Sequence, residues 1–144
     1  TFMKGYYKNP EGTAEAMKGG WFHSGDLVRE DEDGFIFVVD RKKDMIISGG
    51  ENIYAAEVED AIYKNHKVLE TAVIGVPDPV WGESVKAIVV VKEGETLTEE
   101  ELIEHCKENI ASYKKPKSVD FIDTLPRNPT GKVLKFELRE KYKS

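Results

Sequence analysis

An α+β fold, a small sheet covered by helices, is what this sequence predicts. Three observations carry that expectation. Runs of β-branched and aromatic residues alternate with segments whose apolar residues recur at helical spacing. The run Val85–Val91 is apolar at nearly every position, as a strand covered on both faces must be. Thr98 stands three residues before Glu101, the capping-box signature of a helix start. Elements of this kind need a second layer against which to bury their apolar faces.

Residues 1 to about 33 are rich in Gly and short on periodicity, with turn signals at Lys4-Gly5, Asn9-Pro10 and Gly19-Gly20. Phe35–Val39, opened by the Asp33-Gly34 turn, fits a strand. Asp40-Arg41-Lys42-Lys43-Asp44 then interrupts with five charges, and a domain boundary is expected there, dividing the chain into 1–39 and 40–144. Met45-Ile46-Ile47 reads as a short strand ending at Gly49-Gly50. A helix is expected from Ala56 to about Asn65, with Val58, Ala61 and Ile62 on one face. Thr71–Val76 reads as a strand stopped by Pro77 and Pro79, and Val85–Val91 as a central one. Behind the Thr98 cap, Leu102, Ile103, Cys106 and Ile110 form a helical stripe. Val119–Ile122 fits a strand and Lys135–Tyr142 a last short helix.

Composition bounds the function. The 144 residues suffice for one ordinary domain, 40% being hydrophobic and 33% charged. A net charge of −6 argues against nucleic acid as a partner. Basic clusters are local, at Arg41-Lys42-Lys43 and Lys114-Lys115-Pro116-Lys117. No apolar run approaches the roughly 18 residues of a transmembrane segment, and no basic-apolar leader opens the chain. Cys106 is the single cysteine, which excludes an internal disulfide and fits a reducing, cytoplasmic setting. Three dispersed His provide no zinc set, so no metal ligand is expected.

Four short stretches carry candidate chemistry, each with a plainer alternative. Asp26, in Trp21-Phe22-His23-Ser24-Gly25-Asp26-Leu27, reads as a turn residue or as a carboxylate accepting from two ribose hydroxyls. His23 reads as structural. The charged run at Asp40–Asp44 is a solvated turn or a hinge in which Arg41 offers its planar fork to ribose or phosphate oxygen. Ser48-Gly49-Gly50-Glu51-Asn52-Ile53 reads as a strand-to-helix turn needing positive φ, or as a place where a ligand passes close over backbone. It lacks the G-x-G-x-x-G spacing of a dinucleotide fold. Leu125–Val133 is a loop punctuated by Pro and Gly that ends in Lys132. It is no phosphate-binding P-loop, because Val133 follows the Lys where Ser or Thr is required.

In order along the chain, Gly20–Asp26, Val39–Asp44, Ser48-Gly49-Gly50-Glu51-Asn52-Ile53-Tyr54, Glu57-Val58-Glu59, Gly75-Val76-Pro77-Asp78, Gly82-Glu83 and Pro129-Thr130-Gly131-Lys132 resemble the adenylate-forming superfamily, and within it the medium- or long-chain fatty acyl-CoA synthetases. The resemblance implies that residues 1–39 are the tail of a large ATP- and acyl-binding domain, and 40–144 a mobile C-terminal domain. It implies an AMP-forming acid–thiol ligase. A carboxylic acid, a fatty acid on this resemblance, attacks the α-phosphate of Mg²⁺-ATP, and CoA then displaces AMP.

By matching position, Asp26 would bind the ribose hydroxyls of ATP and AMP, with Arg41 assisting. Lys43 would be the hinge, Ser48, Gly49 and Gly50 would line the CoA passage, and Lys132 would act in adenylation. Ala55 departs from the pattern, which carries Pro after the Tyr. The Ser/Thr/Gly-rich phosphate loop and the acyl pocket would precede Thr1, so the missing large N-terminal domain is the expected partner and the chain alone is expected to be inactive. Two other functions stay open at this point, the adenylation domain of a peptide synthetase and a free-standing module without catalysis.

Overall fold

The computed structural model describes residues 3–143. The chain divides into two compact units, one up to Lys43 and the other from Asp44.

The first unit contains a short helix and a two-stranded ribbon. Helix α1 (Pro10–Ala16) follows Asn9, whose side chain accepts from the Gly12 amide, and Pro10 sits in the first turn where its missing N–H costs nothing. Strands β1 (Asp26–Glu30) and β2 (Ile36–Arg41) pair antiparallel through the Asp31–Phe35 turn. Neither α1 nor β1 is marked by the sequence, because both are too short to display a period. The ladder runs on through Asp40 and Arg41, since backbone pairing is indifferent to side-chain charge. A division at 39/40 therefore falls inside β2. None of the described residues of this unit is buried. Trp21, Phe35, Ile36 and Val38 are all more than 60% exposed.

The second unit is α+β, as expected. A hairpin of β3 (Ile46–Ser48) and β4 (Glu51–Ile53) leads into α2 (Ala55–Tyr63), then β5 (Val68–Asp78) and β6 (Gly82–Val91). Helix α3 (Glu99–Asn109) crosses to β7 (Ser118–Phe121), which pairs parallel with β6, and α4 (Lys135–Lys141) closes the fold. Strand order is β4-β3-β6-β5, with β7 also on β6. Because β5 covers one edge of β6 along its whole length, β3 and β7 share the other edge.

Two expectations change here. Gly49-Gly50 turns a β-hairpin rather than joining strand to helix, since Ser48 pairs with Glu51. Pro77 does not stop β5. The strand continues to Asp78, with Pro77 opposite Glu83, because β5 is an edge strand and an edge tolerates a missing N–H.

Both sheet faces are covered. On one face α2 and α3 pack Val58, Ile62, Leu102 and Cys106 against Ile46, Val73, Val85 and Val89. On the other, Leu125 and Leu138 pack on Ala72, Ile74, Ile88 and Val90. Burial pushes the Cys106 thiol up to about 11, so it packs as a small apolar group. Both halves of the capping box form: Thr98 Oγ1 accepts from the Glu101 amide, and Glu101 accepts from the Thr98 amide. Thr98→Ala should lower unfolding free energy by about 1 kcal/mol. Urea denaturation would measure it, and an unchanged midpoint would mean that tertiary packing alone fixes the start of α3.

Candidate functional site

The sequence singles out residues in three places. Asp26 and Arg41 meet at one end of the β1–β2 ladder, where they are direct cross-strand partners. Arg41 Nε lies 2.8 Å from Asp26 Oδ1. A bulge follows at Leu27/Val28, which increases local twist, and Gly25 takes φ +76 just before Asp26. Two residues 15 apart in sequence thus form one half-exposed ion pair with the remaining guanidinium nitrogens and Asp26 Oδ2 left over for other hydrogen bonds. Lys42–Asp44 then forms a single 3₁₀ turn, with Lys43 exposed. Asp44 is not a free charge: it pairs with Arg139 of α4 at 2.6 Å.

The second place is the β3–β4 turn. Gly49 and Gly50 have φ +60 and +87, the left-handed pair that a two-residue hairpin turn requires. Trp81 caps this turn. Its carbonyl accepts from the Gly49 amide at 2.9 Å, and a Cβ on Gly49 would lie 2.6 Å from the Trp81 ring. The ring is positioned in turn by its own loop. The Asp78 carboxylate accepts from the amides of Val80 (2.9 Å) and Trp81 (3.0 Å), and Lys117 approaches both Asp78 (3.3 Å) and the Trp81 ring (5.0 Å). The Trp81 and Val80 amides, with Lys117, hold the Asp78 carboxyl below its ordinary value. Lys114 is likewise engaged, with Glu57 at 2.7 Å, so the basic cluster at 114–117 is partly neutralised within the chain.

The third place is the loop between β7 and α4. Arg127 and Val133 form an isolated antiparallel bridge that closes it, and Gly131 takes φ +86 immediately before Lys132. The Lys132 side chain is exposed and has no ion-pair partner among the described residues. The loop is anchored to Glu70 of β5 through Arg127 Nη2 at 2.6 Å.

Register separates the last two places. Ser48 of the Gly49 hairpin pairs with Gly82 at the start of β6, whereas Glu70 pairs with Val90 near its end. Gly82 and Val90 are eight residue steps apart along β6, about 25 Å.

Residues 57–132, more than half of the chain, match the model described as AMP-binding enzyme C-terminal domain. The chain belongs to the AMP-binding enzyme C-terminal domain family. Among curated relatives, a feruloyl-CoA synthase of Amycolatopsis sp is 54% identical over 97% of this chain and 28% of its own length. A long-chain-fatty-acid–CoA ligase of Mycobacterium tuberculosis is 49% identical over the same shares. Among solved structures, ATP-bound MatB from Rhodopseudomonas palustris superposes with a TM-score of 0.88 at 42% identity, covering 98% of this chain and 28% of that one. The chain therefore spans only about 28% of the length of these relatives.

Trp81 was not singled out in the sequence, and Asp78 and Lys117 were named only within a family run and a basic cluster, with no role. The available signal was Asp78 three residues before Trp81, the spacing at which an Asp side chain caps a turn. Gly49→Ala should displace the Trp81 ring and cost about 1–3 kcal/mol through the positive φ. In a Trp21→Phe background, which leaves Trp81 the only tryptophan of the chain, Trp81 emission should move to the red. Unchanged emission and stability would mean that the ring does not cap the turn.

Proposed function

We propose that this chain is the C-terminal part of an AMP-forming acyl-CoA ligase, the unit up to Lys43 being the tail of its large domain and the unit from Asp44 a mobile domain turning at Lys43. The observation that carries the reading is that Glu70, to which the Lys132 loop is anchored through Arg127, lies about 25 Å along β6 from the Gly49-Gly50 hairpin. One reaction centre cannot use both at once. Two successive reactions at that centre can, if the domain turns between them.

In the first reaction a carboxylate oxygen attacks the α-phosphorus of ATP and the bond to pyrophosphate breaks, giving acyl-AMP. Carboxylate and phosphate are both anionic, and Lys132 brings a compact positive charge to their junction. A preorganised cation there offsets the charge of the transition state more than that of the ground state. In the second reaction the thiol of CoA attacks the acyl carbon, the thioester forms and AMP leaves. Ser48, Gly49 and Gly50 then line the passage for the pantetheine arm, since neither glycine carries a side chain that would narrow it. In both reactions Asp26 accepts from the ribose hydroxyls, with Arg41 fixing its orientation through the 2.8 Å ion pair. Mg²⁺ arrives with ATP as part of the substrate, and no residue of this chain is assigned to it.

The acid is a carboxylic acid, with a fatty acid as our reading. The long-chain-fatty-acid ligase among the relatives supports it, while the relative named feruloyl-CoA synthase supports a different acid. The missing partner is the large N-terminal domain, without which the chain is inactive. The exposed Phe35, Ile36 and Val38 of the coreless first unit are the surface that such a domain would cover. No described helix is long and apolar enough to cross a membrane. We place the enzyme in the cytoplasm, where ATP and CoA are both at hand.

In the intact ligase, Lys132→Ala should slow acyl-AMP formation, read by pyrophosphate exchange, by about 10²–10³-fold. Given pre-made acyl-AMP, the same variant should form thioester at close to the normal rate. Unimpaired exchange would sink the assignment, and equal damage to both steps would point to misfolding.

A further inference from the structure

We propose that Arg127 is a positioning residue for Lys132, acting by clamping the Lys132 loop to strand β5; the proposal rests on the adenylation role given to Lys132 above. The guanidinium makes two contacts in two directions. Nη1 donates to the Gly131 carbonyl at 2.6 Å, inside the loop, and Nη2 donates to Glu70 Oε1 at 2.6 Å, outside it. A planar fork is suited to hold both at once, whereas a lysine ammonium would have to choose. The partner Glu70 belongs to the β5–β6 ladder, so the clamp ties the loop to the most extensively paired part of the sheet.

The rest of the loop is held by hydrogen bonds in the same way. Asn128 Oδ1 accepts from the Lys132 amide (2.8 Å), the Thr130 amide (3.1 Å) and Thr130 Oγ1 (2.8 Å), while the Asn128 amide donates to the Lys132 carbonyl (3.0 Å). These bonds fix the shape of the loop. Val133 packs against the second core cluster at the C-terminal end of the loop, and the Arg127–Glu70 pair is the polar tie that joins that shape to strand β5.

Burial does not do this work. No residue between Leu125 and Leu138 is buried, and Pro129, Thr130, Gly131 and Lys132 are exposed. The apolar contacts that hold the segment come from Leu125 and Leu138, which pack on the sheet, and from the half-buried Val133 beside them, so the exposed stretch from Pro129 to Lys132 has none of its own. Loss of Arg127 would leave those contacts and the Asn128 bonds intact and loosen only the attachment of the exposed tip to β5. Nor is Arg127 a second electrophile, because Glu70 neutralises it and leaves Lys132 as the unpaired cation of the loop among the described residues. A long, flexible lysine gains rate from a backbone that already points it at its target, since less freedom remains to be lost in the transition state.

A double-mutant cycle in the intact ligase tests this, with Arg127→Ala, Lys132→Ala and the pair. Arg127→Ala should slow pyrophosphate exchange about 10-fold, leave thioester formation from supplied acyl-AMP within about twofold, and add less than about twofold in the Lys132→Ala background. Glu70→Ala should reproduce part of the loss. Normal exchange in Lys132→Ala would overturn the role of Lys132 and this proposal with it. Crippled exchange in Lys132→Ala beside normal exchange in Arg127→Ala would overturn this proposal alone. The same Arg127→Ala penalty in both backgrounds would mean that Arg127 acts without Lys132. A lowered melting temperature with equal loss of both half-reactions would make it merely structural, and either result also overturns the proposal.

Discussion

The pairing of β5 with β6, from Val68↔Val91 to Asp78↔Gly82, is the interaction on which the second unit depends. Strand β6 is apolar on both faces, with Val85, Ala87 and Val89 in one core cluster and Ile88 and Val90 in the other. A slip of one residue would exchange those faces and bring Ser84 and Lys86 under α2 and α3, so burial enforces the register strongly. Every candidate functional element of this unit is then placed by that register. The Gly49 hairpin docks at Gly82, the Trp81 loop turns between β5 and β6, and the Lys132 loop hangs from Glu70. The outer edge of β5 is guarded rather than open: the Thr71 amide donates to the Tyr63 hydroxyl and the Val73 amide to Glu59, which also pairs with Lys135.

The two units contrast physically. The second closes a core on both sheet faces. The first has no buried side chain among its described residues, and a two-stranded ribbon of this size is marginal by itself. Its apolar exposure and its Asp26–Arg41 pair are what a piece of a larger domain would carry at the margin of a nucleotide site. The chemistry proposed for the whole protein therefore needs both units and the remainder that the relatives possess.

Much of the second unit was legible because its signals are local. The Thr98 capping box, the Leu102–Cys106 stripe and the apolar run of β6 each sit within a few residues. Gly49 announced positive φ in the same way and adopts it. The missed features depend on distant partners or on brevity. Nothing near Gly49 shows that a ring 32 positions later caps it, and Arg127 and Glu70 are 57 residues apart. The hairpin of β3 and β4 has three residues per strand, too few to reveal alternation. Pro77 misled because its effect depends on whether the strand lies at an edge, which topology decides. Asp26 and Arg41 were each nameable, but their meeting is a matter of ladder register.

The central claim is that the ends of the β5–β6 ladder serve one reaction centre in turn, through rotation at Lys43. Proline at position 43 would fix φ at that point. The most direct measurement is the single-turnover rate of each half-reaction, acyl-AMP formation and thioester formation from supplied acyl-AMP, in the intact ligase carrying Lys43→Pro. The account predicts that one rate falls by at least about 10-fold while the other is kept. Equal loss of both, or loss of neither, would contradict it.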